Sequence, residues 1–243
     1  MIDKLIKLHK FLDSNREYNK KFQELGYLPI ISNSSNVEEK IISLLYEIAN
    51  TQSQPKINYL SEFYIRMYNN SDSLKSFENF VKFISGKDEA NFKNLFTGLK
   101  SQNGWGEKTA ALFVKTIFHF HNGNYHHSLK IWNDVPEIIG KNDEFYLPVD
   151  AVIISIFNKL DSTIKWNFSK INKLLKEYNY SNLEIEIWDD LWFWGFITQK
   201  GTGLKREHKW NENKYWILKN TDKSSNTINI IKNKAEEFLK IYN

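Results

Sequence analysis

Along most of this chain apolar residues recur at intervals of three and four, the period at which side chains return to one face of an α-helix. Leu5, Leu8 and Leu12 begin a first helix. Ile41, Leu44, Leu45 and Ile48 carry a second, opened by Ser35 and Glu38 at capping-box spacing. The same period predicts helices around residues 59–68, 73–84, 89–99, 107–119, 150–160, 168–178, 183–196 and 226–242. Residues 50–56, 101–106, 122–147 and 200–214 read as loops, the third with some helix inside it. Ten glycines and four prolines leave few places where helices must stop. The expected fold is all-α. No repeat, heptad array or low-complexity tail divides the chain, so residues 1–243 read as one domain. Its two helical lobes are expected to meet near Gly104 and the helix at Asp150.

Composition narrows the class. A chain of 243 residues can bury a substantial core without crosslinks. It has no cysteine, which excludes disulfides, cysteine-ligated iron-sulfur clusters and thiol catalysis and fits a reducing compartment. Met1-Ile2-Asp3-Lys4-Leu5-Ile6-Lys7-Leu8 interrupts its apolar residues with charge, as an amphipathic helix does and a signal peptide does not. No apolar run approaches membrane-spanning length. The expectation is an intracellular protein, cytoplasmic or nucleoid-associated. A net charge of +4 suits nucleic acid without requiring it. Only Arg16, Arg66 and Arg206 are arginines among 33 basic residues, and asparagine is abundant, so the lysines reflect a coding bias more than a function.

The chemistry is concentrated in Gln102-Asn103-Gly104-Trp105-Gly106-Glu107-Lys108-Thr109-Ala110 and, beyond a gap, in Leu147-Pro148-Val149-Asp150. Leu95, Phe96 and Leu99 give the helix before the turn an apolar face; Ala110, Ala111, Val114 and Ile117 continue the one after it. Glycine at 104 and 106 permits positive φ and a close backbone approach. The amides opening the second helix can then take a phosphate, helped by the helix dipole. Trp105 is expected to fill the gap between the two helices. Lys108 falls in the first helical turn, where the positive helix end disfavours a cation and so favours a neutral, nucleophilic amine. Set against this, G-x-G is common in ordinary turns, and a lysine here can simply contact phosphate from solvent.

Gly104-Trp105-Gly106-Glu107-Lys108-Thr109-Ala110, with Pro148-Val149-Asp150 opening a later helix, resembles the signature of the helix-hairpin-helix DNA glycosylase superfamily. The resemblance is specific over residues 95–160. It implies two helical lobes around a DNA-binding groove, with a hairpin over residues 89–119 and the catalytic aspartate on the helix at 150–160. A lysine at the position of Lys108 marks the members that combine glycosylase and lyase activity, and Asp150 matches the aspartate. Two features depart from typical members. Gln102-Asn103 stands where Leu-Pro is usual, which predicts a less rigid hairpin. The 42-residue step from Lys108 to Asp150 is long, as in the archaeal 8-oxoguanine branch, and the lack of cysteine removes the cluster of most endonuclease-III-like enzymes.

What the resemblance implies is a bifunctional glycosylase and abasic-site lyase. It would excise an oxidised purine, 8-oxoguanine, from double-stranded DNA as a monomer, with no metal or other cofactor. Asp150 would stabilise positive charge at C1′, and Lys108 would attack that carbon and hold the sugar as an imine. The nucleotide would have to be flipped out of the duplex. Gly104, Gly106 and Thr109, with Lys200, Lys205 and Arg206 of a basic loop, are the expected DNA contacts. Leu112, Lys115, Pro148, Asp190 and Trp194 are the expected base pocket. Lys115 shares a helical face with Lys108, Ala111 and Leu112, and Asp190 and Trp194 lie four residues apart.

Blander readings stand beside these. Lys115 can be a surface lysine, Trp188, Leu191 and Trp192 are spaced as core, and residues 200–209 can be a solvated loop. His119, His121, His126 and His127 lack the second cluster that a metal site needs. Two other functions remain open. One is excision of a different base, alkylated, an oxidised pyrimidine or phage-modified; the other is a non-catalytic hairpin module that binds DNA.

Overall fold

Eight helices of this protein begin where a short polar side chain accepts a first-turn amide: Asn36, Ser76, Asn91, Asp150, Asn167, Ser181, Asn211 and Ser224. Four of these eight caps are asparagines, so part of the asparagine excess has a structural use. The computed structural model describes residues 1–203, 206–219 and 221–243. In chain order the helices are α1 (Ile2–Ser14), α2 (Arg16–Ser32), α3 (Val37–Ala49), α4 (Ile57–Asn69), α5 (Phe77–Ser85), α6 (Phe92–Lys100) and α7 (Glu107–Asn122). Then follow α8 (Ala151–Leu160), α9 (Phe168–Glu177), α10 (Asn182–Trp188), α11 (Leu191–Ile197), α12 (Glu212–Ile217) and α13 (Ser225–Tyr242). One antiparallel pair, β1 (Gln199–Lys200) with β2 (Glu207–His208), is the only sheet among the described residues. The fold is all-α, and none of the described helices is long and apolar enough to cross a membrane.

The chain forms two compact units. One is the continuous stretch Tyr27–Pro148. In it α6 packs against both α5 and α7, and α7 is buried from Thr109 to Phe120 except at Leu112. A helix apolar on all sides is an interior helix. Phe77, Phe80, Phe92, Phe113 and Trp132 form an aromatic core, with the Trp132 indole donating to the Leu74 carbonyl at 2.8 Å. The stretch from 123 to 148 is strapped over this unit by carboxylates and an imidazole. Asp134 accepts the Phe77 and Glu78 amides at the start of α5, each at 2.9 Å, and Asp143 accepts the Lys93 amide of α6 at 3.2 Å. His121 Nε2 accepts the Ile131 and Trp132 amides at 3.1 and 3.2 Å, while its Nδ1 faces the Ile117 carbonyl at 2.9 Å. That pattern requires a neutral ring, and burial holds its pKa below the ordinary value.

The second unit joins Met1–Gly26 to Val149–Asn243. α1 lies on α10 and α13, and α8 packs against α11. Gly195 makes that last approach close: a Cβ there would stand 2.7 Å from Val152 Cγ1 and 2.8 Å from Ile156 Cδ1. Trp188, Trp194, Phe193 and Phe238 are fully buried.

Several expected boundaries move. α2 is absent from the periodicity reading because Arg16–Lys21 is largely polar and Pro29 sits inside the helix. The cap of α3 is Asn36 with Glu39, one residue past the Ser35–Glu38 pair. The helix expected from 73 is a 3-10 turn at Ser71–Leu74 followed by α5, which Ser76 caps. The single helix expected over 183–196 is two, broken at Asp189 and Asp190, whose carboxylates are bonded to Gln23 (3.2 Å) and Asn19 (2.6 Å).

Candidate active site

The hairpin between α6 and α7 is built around one glycine that the backbone requires. Gly104 has φ +86°, and its carbonyl accepts the Gln52 side chain at 3.2 Å. Gly106 is different: its φ is −122°, which any residue can adopt, and it serves as the N-cap of α7. Gln102 ties the turn to its surroundings through both ends of its side-chain amide. Its amide nitrogen donates to the Ile84 and Gly98 carbonyls, both at 2.8 Å, and its oxygen accepts from Arg66. Trp105 is buried, with its ring against Phe63 of α4 (5.4 Å) and Phe113 of α7 (6.3 Å).

Lys108 stands in the first turn of α7, where the sequence put it. Its Nζ donates to Thr51 Oγ1 at 2.5 Å and to the Thr51 carbonyl at 3.3 Å. Thr109 is the third residue of that helix. It is buried, and its hydroxyl is committed to the Gly106 amide and carbonyl, both at 3.1 Å. Lys115 is only 4% exposed, so it is not the solvated surface lysine that the sequence allowed. Leu112 is half-buried and Pro148 buried.

Asp150, in the other unit, is the N-cap of α8. Its Oδ1 accepts the Val152 amide at 2.9 Å and the Ile153 amide at 3.1 Å, and its Oδ2 accepts the Trp192 indole N–H at 3.0 Å. The half-buried Trp192 ring stacks on Phe196 (5.0 Å, 16°) and, at longer range, on Phe22 (6.2 Å, 20°). Over the Phe196 ring, 4.8 Å from its centre, sits Lys214 Nζ. Burial, and then the Arg206 charge, hold this ammonium's pKa below the ordinary lysine value, while Asp150 acts against them. The Asp150 site therefore carries a carboxylate, an indole donor, an aromatic stack and an amine.

Sequence reasoning missed two of these residues. Trp192 was indistinguishable from core by spacing, and Lys214 lay at the end of a segment read as loop. The only available signal was the density of aromatics after Trp188.

Asp190 and Trp194 require a correction. Trp194 is fully enclosed by Phe11, Tyr18, Phe193 and Phe238 and presents no face to a base. Asp190 is 3% exposed, bonded to Asn19 and 3.5 Å from Arg16 Nε. Burial pushes its carboxyl well above the ordinary range, against the pull of Arg16 and Asn19. Both are interior residues that tie α11 to α1 and α2. On the basic loop, Lys200 is exposed on β1, and Arg206 donates through Nε to the Gly203 carbonyl at 2.7 Å. Lys205 lies outside the described residues. His119 and His121 are enclosed by the strap, and the described residues hold no group of three metal-ligating side chains. No family model, no curated protein and no solved structure matches this chain.

Proposed function

We propose that this chain is a DNA glycosylase with abasic-site lyase activity that removes an oxidised purine, 8-oxoguanine, from duplex DNA. The observation that carries the proposal is the turn into α7: a left-handed Gly104, a glycine N-cap and Lys108 in the first helical turn. Gly106 has no side chain to cap the first-turn amides, and a helix end in that state suits a phosphate oxygen. In this reading the α6–α7 pair is a helix-hairpin-helix, and Lys200 and Arg206 add backbone contacts.

The chemistry then divides between two residues. As the C1′–N bond of the flipped nucleotide breaks, its electron pair leaves with the base and C1′ becomes positive. Asp150, held by two amides and an indole N–H, is a fixed carboxylate suited to stabilise that charge. Lys108 releases Thr51, adds its lone pair to C1′ and gives up a proton; ring opening yields an imine. Loss of a C2′ proton from the imine then expels the 3′-phosphate and nicks the strand.

Borohydride trapping on a duplex carrying 8-oxoguanine tests this directly. Wild type should crosslink to the strand and Lys108→Gln should not; undiminished crosslinking by Lys108→Gln removes the lysine from the mechanism. Asp150→Asn should slow single-turnover base release by about a hundredfold or more. Because Asp190 and Trp194 are enclosed, the base identity is best read from a panel of duplexes, each with one modified base.

One observation favours a second reading, a non-catalytic hairpin that binds DNA. Lys108 is tied to Thr51 by two hydrogen bonds, as a structural lysine would be. That reading requires salt-sensitive duplex binding, no nicking of any lesion or abasic strand, and only a small affinity loss in Lys108→Gln.

A further inference from the structure

Asp150 could be held by its helix alone. A carboxylate at an N-cap accepts first-turn amides through one oxygen, and Oδ1 does so with Val152 and Ile153. The second oxygen then normally faces solvent. Here Oδ2 instead receives the indole N–H of Trp192, 42 residues away, at 3.0 Å. We propose that Trp192 is a positioning residue for Asp150: its N–H fixes the orientation of the carboxylate that faces the reacting sugar. The proposal rests on the glycosylase reading above.

Three features make the pairing specific. The first is the fate of neighbouring indoles. Trp188 and Trp194 are fully buried, and their ring N–H groups have no hydrogen-bond partner among the described residues. Packing in this unit therefore does not direct every indole to an acceptor, yet the less buried Trp192 has one. The second is the restraint on the ring itself, which lies nearly parallel to Phe196 on α11 and to Phe22 on α2. Tilting the N–H away from Asp150 would break the stack with Phe196. The third is the helix approach that makes the bond reachable. α11 comes close to α8 because position 195 is glycine, where a Cβ would collide with Val152 and Ile156.

The consequence is electrostatic as well as steric. A carboxylate that cannot rotate loses no energy reorienting as charge develops at C1′. Oδ2 keeps a second lone pair for the substrate side.

The test removes the donor and keeps the ring stack. Trp192→Phe, and separately Trp192 replaced by β-(3-benzothienyl)alanine, which has the bicyclic shape without the N–H, are compared with wild type. Single-turnover base release from an 8-oxoguanine·cytosine duplex is followed at saturating enzyme. Both variants should release base roughly tenfold more slowly. Binding to a duplex containing a tetrahydrofuran abasic analogue should stay within about twofold of wild type, because the contact acts on Asp150 and not on the DNA. The benzothienyl variant preserves packing, so a rate equal to wild type in that protein overturns the role of Trp192 while leaving the glycosylase reading intact. A wild type that releases no base from any lesion duplex overturns the glycosylase reading and the role of Trp192 with it.

Discussion

Gly104 and Gly106 are identical in the sequence and flank the same tryptophan, yet replacing each by alanine should give opposite results. At Gly104 the backbone has φ +86°, where an L-residue costs about 1–2 kcal/mol. A Cβ there would also lie 3.1 Å from Leu60 Cδ2 and 3.2 Å from the Leu60 backbone nitrogen. That nitrogen is fixed, since it donates to the Lys56 carbonyl at 3.0 Å in the first turn of α4, so relief by movement adds about 1 kcal/mol or more. Gly104→Ala should therefore lose about 2–4 kcal/mol. At Gly106 φ is −122°, and a Cβ there would meet no described atom within 4 Å. Alanine is a poorer N-cap than glycine, by roughly 0.5–1 kcal/mol, but it lowers the entropy of the unfolded chain, and the net change should stay within about 1 kcal/mol. In a chain of this length each kcal/mol moves Tm by about 2–4 °C. Thermal and urea unfolding should then separate the two variants by several degrees. Duplex affinity should separate them the other way, because a methyl group at the α7 N-cap stands where a phosphate would approach, and Gly106→Ala should bind lesion duplex less tightly than wild type. Equal Tm values for the two variants would refute the strain argument; Gly106→Ala binding as wild type would refute phosphate docking at this helix end.

Two further outcomes follow from the buried polar groups. Asp134→Ala removes both amide acceptors at the start of α5 and should cost about 1–2 kcal/mol, with hydrogen exchange accelerated at the Phe77 and Glu78 amides; unchanged protection there would mean the strap does not cap α5. Stability should also fall with acid between about pH 6.5 and 4. Burial lowers the pKa of His121, and that of His208 to about 4, with His208 also beside Lys159 and Arg206. The unfolded imidazoles, near 6.5, then bind protons that the folded ones do not, so their contribution is complete above about pH 6.5 and is lost as pH falls toward 4. Urea midpoints should drop across this window and drop less in His208→Gln; the same slope in that variant would exclude His208 as a source.

Helix content was legible because burial on one face imposes a period, and Leu5, Leu8, Leu12, Ile41, Leu44, Leu45 and Ile48 are all buried as that period requires. α2 was not legible, since Arg16–Lys21 makes its own partners: Arg16 with Glu186 and Asp190, Asn19 with Asp190. Polar residues that fold by pairing leave no periodic trace. The same limit applies at Asp190, which reads as a pocket residue and is an interior tie.

By itself the sequence determined the helical class, the α6–α7 turn with Lys108 in the first helical turn, and Asp150 at the head of α8, because each follows from neighbours within a few residues. Only the tertiary structure decided which tryptophan matters. Trp188, Trp192 and Trp194 share one short segment, and nothing local distinguishes them. The close approach of α11 to α8 at Gly195 turns one indole onto Asp150 and leaves the other two in the core. Hydrogen bonds across 42 residues depend on packing, and packing is not written in the periodicity of either helix.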